Sequence, residues 1–305
     1  MDKSNFLSPK DNSFVLLSKP LAFSHKRYFL IRIRQIILRF RTNSPYLSCD
    51  SFAKEADYVA FGITGLKQIN RKRLKKAKIL FVKTHQIEYL VNNFGHLINA
   101  KIILTGNSDS NFTHPITLPK SVQVVFAQNC SVIGDAKYKV LPIGIENLRG
   151  GRSGLKRFHS PTSNHEILDK VYLPPMAPTN PIRFEILNSA LVNNRYFEVD
   201  RIYKNEENYF NGVKRYKFVF CCEGNGFETH RIWESLYNGS FPVMLESEWS
   251  KSLSTLNLPI LIVKQISDVN DSILQDFLLK NKFFDPSFEE KLWIYYWRNL
   301  FMSYL

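Results

Sequence analysis

From residue 77 onward the chain alternates short apolar runs with stretches of helical spacing, and this alternation limits the fold more than any other feature. "AKILFVKTH" (77–85) reads as a buried strand, and "QIEYLVNNFGHLI" (86–98) sets Ile87, Leu90, Val91, Phe94 and Leu97 on one helical face. "AKIILTGN" (100–107), "SVQVVFAQN" (121–129) and "KYKVLPIG" (137–144) are further strands, each ending in polar or glycine residues. Strands joined by helices build a parallel α/β sheet. Ligands of such sheets bind beyond the carboxyl ends of the strands.

Residues 149–181 change character. "RGGRSGLKRFHSPTSN" and "LPPMAPTNP" have the Gly, Pro, Ser and basic composition of a linker or mobile loop. A second α/β unit is predicted after it. "PIRFEILNSALVNN" is a helix, with Pro181 in the first turn where its missing N–H costs nothing. "RYFEVDRIY" and "YKFVFCC" are strands, and "FETHRIWESLYNG" is a helix ended by Gly239. Strands in "SFPVML" and "LPILIV", a helix over 268–281 and a long aromatic helix in "SFEEKLWIYYWRNLFMSYL" complete the chain. The expected organisation is a basic segment (1–45), an N-terminal domain (46–150), a linker (151–180), a C-terminal domain (181–287) and a terminal helix (288–305), with a cleft between the two domains.

At 305 residues, 44% hydrophobic and 22% charged, the chain has the balance of a globular protein and the length for two medium domains. Its formal charge of +14 is uneven. Residues 1–45 hold nine Lys/Arg against Asp2 and Asp11, or +7. In "HKRYFLIRIRQIILRFR" (25–41), a helical projection gathers Phe29, Ile33, Ile36, Ile37 and Phe40 in one stripe. Lys26, Arg34 and Arg41 flank it on one side, Arg32 and Arg39 on the other. An apolar stripe bordered by arginines suits an anionic membrane surface, each basic residue contributing about 1 kcal/mol there. Packing against the domain is the alternative. Nucleic acid is not an expected partner, because no recognition module is legible. Four cysteines without a C-x-x-C pair read as buried free thiols, and no secretory signal or spanning run is evident.

The densest chemistry lies in "CCEGNGFETHRIWESLYNGSFPV" (221–243). Gly224 and Gly226 permit positive φ and close backbone approach after a strand. The helix that follows is expected to begin near Phe227–Thr229, offering free N–H groups and a dipole to an anion. Arg231 can fork onto phosphate oxygens. Glu234, three residues on, shares its face and can accept from two ribose hydroxyls. An ordinary capped helix carrying a surface Arg231–Glu234 pair is the plain alternative. The run is neither a P-loop nor G-x-G-x-x-G, since no G-K-[ST] and no third glycine follow.

"FVFCCEGNGFETHRIWESLYNGSFPVML" resembles the donor-binding signature of exostosin-like glycosyltransferases, in the form found in bacterial surface-polysaccharide enzymes and the ribitol xylosyltransferase group. The match runs from Glu223 to Val243 and departs at Glu228, where the family form usually has Asp. "TNPIR" (179–183) is similar to the segment that opens the family's C-terminal domain. "ILFVKTH", "ILTGNSD", "VFAQN" and "LPIGIEN" resemble strands of its N-terminal domain. The resemblance implies a GT-B fold, two facing Rossmann-like domains with the donor on the C-terminal one and a last helix that crosses back to the first.

Under this resemblance Arg183 and Arg231 hold the donor diphosphate with backbone N–H groups around Gly224–Gly226, and Glu234 holds the ribose. Glu223, Asn225, Thr229 and His230 face the cleft. The catalytic base is expected across it, at Asp109 in "TGNSDSN", with Glu146 in "GIEN" and His85 in "KTH" as alternatives. No D-x-D pair is present, which fits a metal-independent transfer, and the resemblance implies inversion. The donor is a nucleotide-sugar, expected to be UDP-linked, and no separate cofactor is implied. The acceptor is a glycan or lipid-linked glycan, and the expected location is cytoplasmic, peripheral at the inner face of the plasma membrane. A nucleotide-sugar epimerase on the same fold and a non-catalytic nucleotide-sugar-binding protein are the competing readings.

Overall fold

The computed structural model describes residues 42–62, 67–151, 153–161, 166–193 and 195–305, so the basic stretch 25–41 lies outside the described residues. Two parallel sheets of five strands each organise the chain. The first holds β1 (Tyr58–Val59), β2 (Ile79–Lys83), β3 (Ile102–Gly106), β4 (Val124–Ala127) and β5 (Tyr138–Val140), side by side in that order. β3 and β4 are buried throughout, which is why these runs are continuously apolar rather than alternating.

Helices α1 (Cys49–Glu55), α2 (Arg71–Lys76) and α3 (Ile87–Phe94) belong to this half. Each step from β1 to β2 to β3 moves the same way, so right-handed connections put α2 and α3 on one face. The other face is left for elements from outside that run. Phe81, Leu104 and Phe126 lie in register across β2, β3 and β4. Phe126 meets Trp297 and Phe301 of the last helix (Ile294–Met302), ring centroids 6.3 and 5.0 Å away. Trp297 also meets Phe52 of α1 edge-on at 5.7 Å, and Arg298 forks onto Glu55 at 2.8 and 2.9 Å. The end of the chain therefore completes the core of its beginning. That helix is shorter than the sequence suggests, because a 3-10 turn (Glu290–Leu292) and an extended Trp293 precede it.

The second sheet holds β6 (Leu168–Leu173), β7 (Phe197–Val199), β8 (Tyr216–Phe220), β9 (Phe241–Leu245) and β10 (Leu261–Val263), in the spatial order β10-β9-β8-β6-β7. The chain winds outward from β6 to β7, returns across β6 to β8, and continues to β9 and β10. This reversal opens a crevice at the carboxyl ends of β6 and β8. The first sheet has no reversal. Helices α4 (Ile182–Val192), α5 (Glu206–Arg215), α6 (His230–Tyr237), α7 (Glu248–Ser254) and α8 (Asp271–Lys280) complete this half, and Ile294–Met302 is α9.

Among the elements that depart from the sequence reading, β6 and α5 are coupled. β6 lies within 151–180, where a linker is expected, yet it sits between β7 and β8. Only its last three residues, Val171, Tyr172 and Leu173, are buried, and two prolines follow, so composition hides it. The helix α5 contains Asn211 and Gly212, both weak helix formers. Gly212 is there for packing: a Cβ on it would lie 2.5 Å from Tyr172 Cζ. The other helices outside the reading, α1, α2 and α7, have seven, six and seven residues, too few to display a period. All four cysteines are buried and free. No helix among the described residues is long and apolar enough to cross a membrane.

Replacing Trp297 by Ala is expected to lower the free energy of unfolding by about 3–5 kcal/mol, the usual loss for a buried Trp. Urea denaturation measures it. A loss under about 1 kcal/mol would show that α9 is not part of the first core.

Candidate functional site

A cavity of about 260 Å³ opens at the β6/β8 reversal, lined by Ser153, Pro175, Arg183, Tyr203, Tyr209, Thr229, His230, Arg231 and Glu234. The chain leaving β6 supplies Pro175, the chain leaving β7 supplies Tyr203, and the turn and helix after β8 supply Thr229 to Glu234. Arg183 comes from the first turn of α4 and Tyr209 from α5. A larger hollow of about 420 Å³ lies beside β4, β5 and α9, but its lining is largely apolar, with Asp135 and Lys139 as its charged side chains. Converging charge makes the smaller cavity the candidate site.

The turn between β8 and α6 departs from the expected phosphate loop. Neither Gly224 nor Gly226 has a positive φ. Close approach requires them instead: a Cβ on Gly226 would lie 2.8 Å from Asn129 Nδ2 and 2.9 Å from the Asp109 carbonyl oxygen. A Cβ on Gly224 would meet Arg183 Nη2 at 3.1 Å. Several N–H groups here are already used. Gly224 donates to the Gly226 carbonyl at 2.9 Å, Phe227 to Asn111 Oδ1 at 3.0 Å and Glu228 to Asn129 Oδ1 at 2.6 Å. The residues Glu223, Gly224, Asn225 and Gly226 are outside the cavity lining. The start of α6 does reach it. Thr229 is extended and no side chain caps this helix; the Thr229 hydroxyl faces the Cys222 carbonyl at 3.5 Å. The first-turn N–H groups and their dipole thus stand beside the cavity.

Two guanidiniums face that space. Arg183 donates from Nε to the Glu223 carbonyl at 2.8 Å and from Nη1 to the Ala177 carbonyl at 2.7 Å. Burial, and then the like charge of Arg231, pull its pKa below the ordinary arginine value, though an arginine remains charged. Arg231 donates from Nη2 to the Pro175 carbonyl at 2.9 Å and lies 5.9 Å from the centre of the Tyr209 ring. Its Nε is buried with no partner among the described residues. The Tyr209 hydroxyl donates to Glu234 Oε2 at 2.6 Å. Burial raises the pKa of Glu234, while the Tyr209 bond and the Arg231 charge pull it back. Tyr203 and Tyr209 are absent from the sequence reading as site residues; the available signal was three aromatics, Tyr203, Tyr209 and Phe210, in the largely polar stretch "RIYKNEENYF".

His230 lines the same cavity, and its Nδ1 lies 2.7 Å from the Gly144 carbonyl oxygen. The residues expected to supply a base do not line this cavity, although Asp109 and Glu146 lie near enough to His230 for their charge to act on it. Asp109 Oδ2 accepts from Asn225 Nδ2 at 3.2 Å, and His85 Nδ1 lies 2.9 Å from Ser108 Oγ on the surface. Glu146 sits under the glycine pair 150–151, where a Cβ on Gly151 would be 2.2 Å from its Oε2. None of the three is among the lining residues. Among the described residues no group of three or more His, Cys, Asp or Glu side chains could hold a metal ion.

Glu228, the position at which the 223–243 stretch departs from its resemblance, is 4% exposed and is not among the residues lining the cavity. Its Oε1 accepts from Ile143 N–H at 2.9 Å and from the Trp233 indole at 2.7 Å, while Oε2 is buried without a partner. Burial pushes its pKa from 4.5 to about 7 against the pull of those hydrogen bonds. Between these two values the folded state holds a proton that the unfolded chain has released, so this group's contribution to stability falls as pH rises through that window. The Tm of Glu228→Gln minus that of the wild type is therefore expected to grow from pH 5 to pH 8. A difference that stays constant would mean that the carboxyl does not titrate in the fold.

No family model matches the chain, and no curated protein is similar to it. Among solved structures, a crystal structure of an alpha1,3-fucosyltransferase is similar over 75% of each chain, at 14% identity and a TM-score of 0.37. A likeness at that level carries no argument about fold or activity.

Proposed function

We propose that this chain is a glycosyltransferase that moves a sugar from a nucleotide-sugar to a hydroxyl of a glycan or lipid-linked glycan. The observation that carries this reading is the convergence of Arg183, Arg231 and the uncapped start of α6 on one cavity at the strand-order reversal. In a transfer by direct displacement, the bond from the anomeric carbon to the diphosphate breaks and negative charge develops on the leaving group. Guanidiniums and a helix N-terminus fixed beforehand stabilise that charge without rearranging. The unpartnered Arg231 Nε–H is a donor that such an anion can take. Glu234 keeps one oxygen on Tyr209 and has the other for a ribose hydroxyl. The resemblance of residues 223–243 points the same way and favours a UDP-sugar.

In the same reading the two sheets belong to the facing halves of a GT-B enzyme, and a membrane-borne acceptor meets the protein at the inner face of the plasma membrane through residues 25–41. The products serve surface polysaccharide synthesis.

UDP and UDP-sugars are expected to raise the Tm, and Arg231→Gln to weaken UDP binding by about 10- to 100-fold, the usual worth of a charge-assisted hydrogen bond. Calorimetric titration of UDP measures the loss, with circular dichroism to confirm the fold. A wild-type protein indifferent to UDP-, GDP- and CMP-sugars would sink the proposal. The membrane arm is separate: removing residues 1–41 is expected to abolish co-sedimentation with vesicles rich in phosphatidylserine. The cut stops short of Asn43, whose amide donates to the carbonyls of Glu146 and Gly154 at 3.1 and 2.6 Å. Undiminished sedimentation refutes the membrane role.

A further inference from the structure

The ring of His230 is held from outside its own helix. It projects from the first residue of α6, while the oxygen beside its Nδ1 belongs to Gly144, in the loop after β5. A carbonyl can only accept, so Nδ1 carries the ring proton and Nε2 keeps its lone pair. No residue among those described pairs with Nε2. The carbonyl is itself fixed. Gly144 has φ +68°, and a Cβ on it would lie 2.1 Å from the Leu47 carbonyl oxygen. The chain there also pairs with Ser48 by an antiparallel bridge, and Ile145 N–H donates to the Leu47 carbonyl at 2.9 Å. A basic nitrogen in a ring of fixed orientation thus lines the cavity that holds two guanidiniums.

We infer that His230 Nε2 is the proton acceptor of the transfer reaction, a role that rests on the glycosyltransferase reading. The acceptor hydroxyl oxygen, or water in hydrolysis, forms the new bond to the anomeric carbon. The bond from that carbon to the diphosphate breaks with its electron pair going to the leaving group, and the hydroxyl proton passes to Nε2. Histidine then carries the positive charge and loses it to solvent after the products leave. Atoms and charge balance without a further reactant.

The surroundings suit a neutral imidazole in the resting state. Burial lowers the His230 pKa from its ordinary value, against the Gly144 bond and the carboxylates of Glu146 and Asp109, which raise it. Arg183 and Arg231 share its cavity, and His159 nearby is pushed down to about 4 by burial, so it stays neutral. A neutral ring whose free nitrogen is a lone pair is a poor ligand for a phosphate oxygen and a competent base. On this inference His230 takes a proton, in place of the nucleotide contact that the resemblance implies.

The test uses the full chain, with UDP release from UDP-glucose, UDP-galactose, UDP-xylose or UDP-N-acetylglucosamine in water as the readout. In His230→Asn the amide can still donate to Gly144 but cannot take a proton. Its kcat is expected to fall about 10²- to 10⁴-fold, with the Kd for UDP within about threefold of the wild type. His230→Ala is expected to regain part of the rate as imidazole is added, which a merely structural role would not allow. The proposal is overturned by a kcat within about fivefold of the wild type in His230→Asn. It is equally overturned by His230→Ala that binds UDP yet gains nothing from imidazole. Failure of the wild type to bind any nucleotide-sugar is the distinguishable case, since it removes the glycosyltransferase reading first.

Discussion

Glu228 Oε1 accepts from the backbone of Ile143 and from the indole of Trp233, and so ties the loop after the first sheet to the helix that carries the site. The neighbouring bonds reinforce that seam. Asn129 receives the Glu228 N–H, Asn111 receives the Phe227 N–H, and Gly144 lies against His230. Each joins a side chain or carbonyl of the first half to the turn before α6. Gly226 has to be bare because the Asn129 amide and the Asp109 carbonyl press on it from the same direction. Much of "EGNGFETH" is thus a seam. From this stretch only Thr229 and His230 reach the cavity lining, beside Arg231 and Glu234 that follow it.

That division explains what was legible in the sequence. β2, β3 and β4 showed as apolar runs because both of their faces are covered. Thr229, His230, Arg231 and Glu234 were legible because a strand end and the next helical turn form a local unit, in which three-residue spacing fixes a shared face. Arg183 was singled out through the resemblance of "TNPIR" alone, with no local physical signal. Tyr203, Tyr209, Pro175 and Ser153 were not, because each reaches the cavity from another crossover and nothing local marks where that crossover lands. The position of β6 between β7 and β8 is non-local in the same sense. The order reversal that locates the site depends on a strand that composition alone disguises as linker.

Of the two reasons the sequence offers for the glycines, positive φ and close approach, the structure shows the second. Gly224 and Gly226 are needed for contact distance rather than for left-handed backbone, whereas the glycines with positive φ include Gly144 and Gly239. A sequence does not distinguish these two reasons for glycine. Glu228 is a similar case. Its additional methylene beyond Asp gives one oxygen the reach to meet both Ile143 N–H and the Trp233 indole, which is a packing role at the seam and not a contact with a ligand.

The electrostatics of the cavity follow from the partners its arginines have. Carbonyl oxygens of Glu223, Ala177 and Pro175 orient the two guanidiniums but do not neutralise them. The carboxylate that lines the cavity, Glu234, divides its capacity between Tyr209 and the Arg231 charge. Like charges set close together are costly unless they are matched, and the carbonyl contacts of Arg183 and Arg231 hold the two guanidiniums in place despite that cost. On the proposed reading, an anion at this site would meet donors already aimed and would offset the repulsion between Arg183 and Arg231. At the neighbouring His230 burial opposes a proton, while the Gly144 carbonyl and the charges of Glu146 and Asp109 favour one, so on the proposed reading the base is neutral at rest through desolvation rather than through the arginines.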